Sequence, residues 1–217
     1  MIKITRFIFN NFSENTFLLV DSATNMGAVV DPGMLTDEEK SFFEEYVKEK
    51  GIHLSQIILT HAHLDHCFGV DFVKNKYGVP VKGHHNDSIL ADVLHLQGSR
   101  FGMTEAIKNP VTFDVPLSEG DEIELGESKL KVIHVPGHTP GGIILYDAAD
   151  GVAFVGDTIF LGSIGRTDLE GGDFGTLINS IKRKILTLPD ETVLLPGHGE
   201  ATTVGEEKKN NPFLTNS

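Results

Sequence analysis

Short apolar runs, many of them closed by glycine, set the rhythm of the chain and predict strands joined by tight turns. In the first half these runs fall at 2–9, at 15–20 (Asn15-Thr16-Phe17-Leu18-Leu19-Val20) and at 27–30, the last passing into Asp31-Pro32-Gly33. The spacing then changes. Phe42, Phe43, Tyr46 and Val47 recur at helical intervals behind Thr36 and Glu39, which together predict a capping box, and Gly51 predicts the stop. Gln56-Ile57-Ile58-Leu59 reads as a short buried strand running into Thr60-His61. A further strand is expected over 79–82, then a helix capped by Asn86 or Asp87 with Ile89, Leu90, Val93 and Leu94 on one face.

The second half repeats the logic, with β-like runs at 111–115, 122–125, 129–135, 142–147 and 152–155. From about Asp173 the residues Phe174, Leu177, Ile178, Ile181 and Ile185 align at helical spacing, and Lys182, Arg183 and Lys184 near the end suit the helix dipole. A last strand over 192–195 ends in Pro196-Gly197-His198. No linker, charge block or internal repeat divides the sequence, so a single domain over residues 1–217 is expected. Strands outnumber helices, and helices fall at intervals in both halves. That pattern predicts an α/β (α+β) fold with two sheets between outer helices, a four-layer αββα sandwich.

Composition narrows the function. The 217 residues carry 18 Lys+Arg against 31 Asp+Glu, a net charge of −13, which argues against a nucleic-acid partner, because that affinity comes largely from basic side chains. A single cysteine, Cys67, excludes an intramolecular disulfide framework. Met1 to Phe7 reads as a strand rather than a signal peptide, and the apolar runs are too short to span a bilayer, so a cytoplasmic protein without a membrane partner is expected. The unusual count is ten histidines, since histidine is the commonest metal ligand.

The densest chemistry is His61-Ala62-His63-Leu64-Asp65-His66, directly after the strand at 56–59. In an extended chain His61 and His63 point the same way, while Asp65 and His66 point elsewhere and suit a second ion. Chance produces such a pattern with a probability of roughly one in a thousand. His138 after Val135-Pro136-Gly137, Asp157 after Phe154-Val155-Gly156, and His198 after Leu195-Pro196-Gly197 stand at the ends of three other apolar runs. Histidine and carboxylate without thiolate suit zinc, iron or manganese. Cys67 reads as a small buried residue, His84-His85 as a surface loop, and His53, His95 and His134 are assigned no chemistry.

This ordered set resembles the metallo-β-lactamase fold superfamily over nearly the whole chain. Thr60-His-Ala-His-Leu-Asp-His66, Pro136-Gly-His-Thr-Pro-Gly141, Gly156-Asp-Thr158, Gly165-Arg-Thr-Asp168 and Leu195-Pro-Gly-His-Gly199 are similar to the glyoxalase II-like hydrolases. The closing Asn211-Pro-Phe-Leu214 resembles a compact, single-domain subgroup. The resemblance implies a metallo-β-lactamase fold with two divalent metal ions, zinc first among the candidates. His61, His63 and His138 would hold one ion; Asp65, His66 and His198 the other; Asp157 would bridge them. Two ions sharing one water would make it a hydroxide near neutral pH, with Asp65 orienting or deprotonating it for attack on a carbonyl.

The implied activity is hydrolysis of a small thioester, with hydroxyacylglutathione leading and other small esters or lactones behind it. A thiolate with a pKa of about 8–9 leaves without a strong general acid. Arg166 matches a basic residue of the family and is the candidate for a substrate carboxylate or, equally, a partner for Asp168. Thr167 and Asp168 stand where the family has a tyrosine. Only 19 residues follow His198 (217 − 198), too few for the family's C-terminal helical glutathione-binding domain. The competing readings are a mononuclear iron persulfide dioxygenase-like oxidoreductase, a nuclease, a β-lactam hydrolase and a metal-storing protein.

Overall fold

The computed structural model describes residues 1–100, 102, 103, 107 and 109–215. One sheet contains β1 (Ile2–Phe9), β2 (Glu14–Asp21), β3 (Met26–Val30), β4 (His53–Ile58), β5 (Val81–His84) and β6 (Val115–Leu117), in that spatial order. Its first three strands pair antiparallel, and β3 to β6 pair parallel. The second sheet contains β7 (Glu122–Leu125), β8 (Ser128–His134), β9 (Ile143–Asp147) and β10 (Val152–Gly156). A hairpin of β11 (Ile159–Phe160) and β12 (Ser163–Ile164) lies between β10 and the last strands of that sheet, β13 (Val193–Pro196) and β14 (Thr202–Thr203). The second sheet runs β14-β13-β10-β9-β8-β7. The helices are α1 (Asp37–Glu49), α2 (Val70–Tyr77), α3 (Ser88–Asp92), α4 (Leu94–Arg100), α5 (Phe174–Ser180), α6 (Val204–Asn210) and α7 (Pro212–Thr215).

Adjacent residues on one strand serve different layers, because successive side chains leave a strand on opposite faces. Leu18, Val29 and Ile57 join Phe43 and Val47 of α1 and Val73 of α2 in one apolar cluster. Their neighbours Leu19, Val30 and Ile58 meet Val132, Leu145 and Phe154 between the sheets. Ile133, Ile144, Ala153 and Val155 turn to the far face and meet Leu177 of α5 with Ile181 and Ile185 beyond it. This is the αββα arrangement. All eight residues of β2 are buried, as befits a strand covered on both faces.

The capping box forms as expected: Glu39 N donates to Thr36 Oγ1, and the Glu39 carboxylate receives Thr36 N. Asp173 caps α5 by accepting from Thr176 N, and the helix runs on as a π-turn over Ile181–Ile185. Three expectations shift. The strand expected at 79–82 begins at Val81, whose amide donates to the Asp114 carboxylate at 2.8 Å. The run at 111–115 is strand only from Val115, because Val111 and Phe113 bury themselves in the helix-side core. The helix expected after Asn86 or Asp87 breaks at Val93 into α3 and α4, and Ile89 is exposed. Phe42 of α1 is exposed as well. His84 is a further correction: it is not on a surface loop but buried at the end of β5, its ring stacked on His134 of β8 at 3.9 Å. Among the described residues no helix is long and apolar enough to cross a membrane.

Candidate metal centre

Strand direction gathers the polar residues. β8, β10 and β13 all run the same way, since β9 pairs antiparallel with both β8 and β10 while β10 and β13 are parallel. Their C-terminal ends therefore deliver His138, Asp157 and His198 to one edge of the sandwich. β4 brings His61 and His63 to the same edge, and a 3₁₀ turn over Leu64–His66 then swings Asp65 and His66 sideways. The two sheets meet closely here. Gly156 has φ +49°, and a Cβ on it would lie 2.4 Å from Thr60 Oγ1, so both the conformation and the contact call for glycine.

Donor atoms of His61, His63 and His138 lie within 4.8 Å of one another, and so do those of Asp65, His66 and His198. The structure thus brings together the residues of each of the two sets that the resemblance implies. Asp157 stands between them, with Oδ1 3.5 Å from His66 Nε2 and Oδ2 3.8 Å from His138 Nε2 and 3.6 Å from His198 Nε2. A third cluster, Asp31 with His61 and His66, was not foreseen.

The imidazoles are oriented from behind. Nδ1 of His66 donates to Asp31 Oδ2 at 3.1 Å, Nδ1 of His138 to the Arg166 carbonyl at 2.7 Å, and Nδ1 of His198 to the Phe12 carbonyl at 3.0 Å. His61 Nδ1 donates to Thr60 Oγ1 at 3.0 Å, whose hydroxyl proton goes to Asp31 Oδ2 at 2.6 Å. In a neutral ring such a bond fixes Nδ1 as the donor and leaves the Nε2 lone pair for an ion; in the absence of one, His198 Nε2 lies 3.1 Å from Asp65 Oδ2. Asp31 Oδ1 also receives Thr60 N at 2.7 Å, so its carboxylate is engaged by the loop and is a support rather than a donor facing the cleft.

Those lone pairs lack an acceptor's usual complement. Among the described residues, the buried Nε2 atoms of His61, His66 and His138 and Oδ1 of Asp157 have no hydrogen-bond partner. Burying such atoms unsatisfied is costly. Nor does any described lysine or arginine form an ion pair with Asp31, Asp65 or Asp157. Aimed lone pairs, converging carboxylates and no compensating ammonium or guanidinium fit divalent cations.

Protonation preferences divide the two donor sets. Burial pulls His66 and His198 down, but the facing carboxylates of Asp65 and Asp157 outweigh it and hold both above the ordinary histidine range, so an ion in the second set would displace their protons. Burial, reinforced by the neighbouring imidazoles, holds His61 well below the ordinary histidine range and takes His63 down to about 3, so both are neutral donors at pH 7. Burial pushes the Asp157 and Asp65 carboxyls up, but the facing histidines outweigh it and hold both below the usual range, hence anionic. Cys67 is buried, and burial raises its thiol well above its ordinary value.

Asp87 is a further correction, because the cap role expected of it does not form. It makes no side-chain cap bond to α3. Instead Oδ2 accepts Ala62 N at 3.0 Å and Thr139 Oγ1 at 2.8 Å, while Oδ1 accepts Gly141 N. One buried carboxylate thus joins the loop of His61 and His63 to the loop of His138. The two histidine loops give no local signal of this, because the tie forms only once both sheets are packed.

The centre opens into a cleft of about 230 Å³ whose walls include Phe12, Leu64, Gln97, Arg166 and Leu169. Arg166 is among them, and its guanidinium forks onto Asp168, the alternative partner read from the sequence, Nε to Oδ1 at 2.8 Å and Nη2 to Oδ2 at 2.9 Å.

Known proteins share this architecture. The metallo-beta-lactamase superfamily model, whose proteins bind divalent metals, matches residues 10–198. The hydroxyacylglutathione hydrolase GloC of Haemophilus influenzae is 38% identical over 206 residues, covering 94% of this chain and 93% of GloC. The crystal structure of the BLEG-1 B3 metallo-beta-lactamase superposes with a TM-score of 0.89 at 34% identity, covering 98% of this chain and 100% of that one. TTHA1623 in a di-iron-bound form superposes at 0.86 with 36% identity, covering 97% and 100%. With matches running through nearly the full length of each partner, the chain belongs to the metallo-beta-lactamase superfamily and is a metallo-hydrolase of that group.

Proposed function

We propose that the chain hydrolyses a small thioester of the hydroxyacylglutathione type at a centre holding two divalent ions. His61, His63 and His138 would hold one ion, Asp65, His66 and His198 the other, and Asp157 would reach both. The observation that carries this reading is the pair of adjacent donor sets, each with Nε2 atoms aimed inward, at the floor of an open cleft. The chemistry that bound ions supply is acidification of water near neutral pH and polarisation of a carbonyl.

The chain's own residues do the rest. Asp65 is anionic, partly open to the cleft and 3.1 Å from His198 Nε2, which supports a role in orienting the attacking water and accepting its proton. Phe12, Leu64 and Leu169 give the acyl portion apolar walls that thin the water around the carbonyl. A thiolate needs no acid to leave, which agrees with the lack of an unassigned acid among the residues named above. The similarity to GloC supports the glutathione portion. A complete second donor set weighs against the mononuclear dioxygenase alternative.

BLEG-1 supports a second reading, hydrolysis of a β-lactam amide. Metal quantification paired with turnover of S-lactoylglutathione and of a cephalosporin separates the two. About two ions per chain with fast thioester turnover is the expected result; two ions with turnover of the cephalosporin alone would replace the thioester by the lactam.

A further inference from the structure

Arg166 is the only lysine or arginine among the described residues lining the cleft, yet it does not present a bare positive charge. Asp168 takes its Nε and Nη2 edge in a two-bond fork. Both side chains are more than half exposed, 57% and 69%, and an exposed pair of this kind adds little to stability. The backbone beneath it is nevertheless tightly fixed. The Arg166 carbonyl receives His138 Nδ1, Gly165 N donates to Thr158 O at 3.2 Å, and Asp173 N donates to Gly137 O at 2.8 Å. A pair that stabilises little, on a loop tied to the centre at both ends, is placed for recognition.

We propose that Arg166 and Asp168 together form a subsite for a zwitterionic α-amino acid end group on the substrate. Of the five guanidinium N–H groups two are used by Asp168, so the Nη1 edge remains to receive a carboxylate. Each Asp168 oxygen accepts one bond from Arg166, and although the carboxylate also takes the backbone amide of Asp168 itself, it keeps a lone pair for an ammonium. Carboxylate and ammonium on one carbon then meet opposite charges side by side. A ligand with the carboxylate alone meets a guanidinium already neutralised by Asp168, so the pair selects for the zwitterion over the simple anion. The γ-glutamyl end of glutathione carries this group. The choice of ligand rests on the thioester reading, while the subsite's preference for a free amine does not.

The test is calorimetric binding of S-methylglutathione, which cannot be hydrolysed, against its N-acetyl derivative, which lacks the ammonium. The expected result is a preference of about tenfold for the free amine in the native protein. Asp168→Asn should reduce that preference below about twofold, and Arg166→Gln should weaken both ligands. Equal binding of the two ligands by the native protein, or an unchanged preference in D168N, would overturn the subsite. Turnover of S-lactoylglutathione by the metal-loaded native protein is followed in parallel. Turnover without amine preference removes the subsite and keeps the hydrolase, whereas amine preference without turnover does the reverse.

Discussion

Asp31 holds His66 from behind, its Oδ2 accepting from the ring's Nδ1 at 3.1 Å, and the same oxygen takes the Thr60 hydroxyl at 2.6 Å. Through Thr60 it also governs His61, so one carboxylate orients a histidine of each donor set. Removing such a support typically costs a metal site about 10- to 100-fold in affinity. Asp31→Ala is therefore expected to weaken metal binding by that factor, measured by competition with a chromophoric chelator. Affinity equal to that of the native protein would show that the imidazoles hold their orientation unaided.

Asp87 couples two loops rather than capping a helix. Asp87→Ala strands the amides of Ala62 and Gly141 and the Thr139 hydroxyl in a buried site. An unsatisfied buried donor costs about 1–3 kcal/mol, so a loss of at least about 3 kcal/mol in unfolding free energy is expected from urea titration. Asp87→Asn keeps one acceptor oxygen and should lose less. Equal losses for the two variants would mean the hydrogen bonds do not set the effect.

Much of this was legible in the sequence because the ligand candidates follow directly on apolar runs: His61 after Leu59-Thr60, Asp157 after Val155-Gly156, His198 after Pro196-Gly197. Strand polarity then brings them together without further information. Asp31 and Asp87 were read by their neighbours instead. Asp31-Pro32-Gly33 looks like a turn, and the residue does adopt φ +49°, but its side chain serves a loop 29 residues away. Asp87 looks like a cap because it precedes an apolar run, yet its partners are 25 to 54 residues distant. Local pattern reports what backbone a residue favours; the partner of a buried carboxylate is decided by which loops the two sheets bring into contact. His84 was misread for the same reason, its stacking partner His134 lying on the other sheet.

Gly165 tests how closely the loop after β12 must approach the centre. A methyl at this position would lie 1.8 Å from the Asp157 carbonyl oxygen and 3.2 Å from His138 Nδ1. The first neighbour is backbone and cannot rotate aside, so the loop or Asp157 must shift. Gly165→Ala is expected to reduce kcat/KM by 100-fold or more, since displacement by about 1 Å can have that effect. It should also lower the thermal midpoint. An alanine variant with native kinetics would show that the loop relaxes freely.

The histidine stack at the C-terminal ends of β5 and β8 makes stability depend on pH through a group outside the two donor sets. His84 lies with His134 on one side at 3.9 Å and His85 on the other at 4.4 Å, and its Nδ1 accepts the Asn86 amide. Burial, helped by the two neighbouring rings and opposed by the carboxylates of Glu119 and Asp121, takes its pKa down to about 4 from an ordinary value of 6.5. Between those values the unfolded chain binds a proton that the folded chain refuses, so stability falls as pH drops from 6.5 toward 4 and is unaffected by this group above that window. The slope attributable to one proton is at most about 1.4 kcal/mol per pH unit. His84→Phe keeps a ring in the stack and removes the titration. The difference in unfolding free energy between variant and native protein, measured by urea titration of metal-free samples, should therefore shift in the variant's favour from pH 6.5 to pH 4.5. A difference that stays constant over that range would assign the acid sensitivity to other groups.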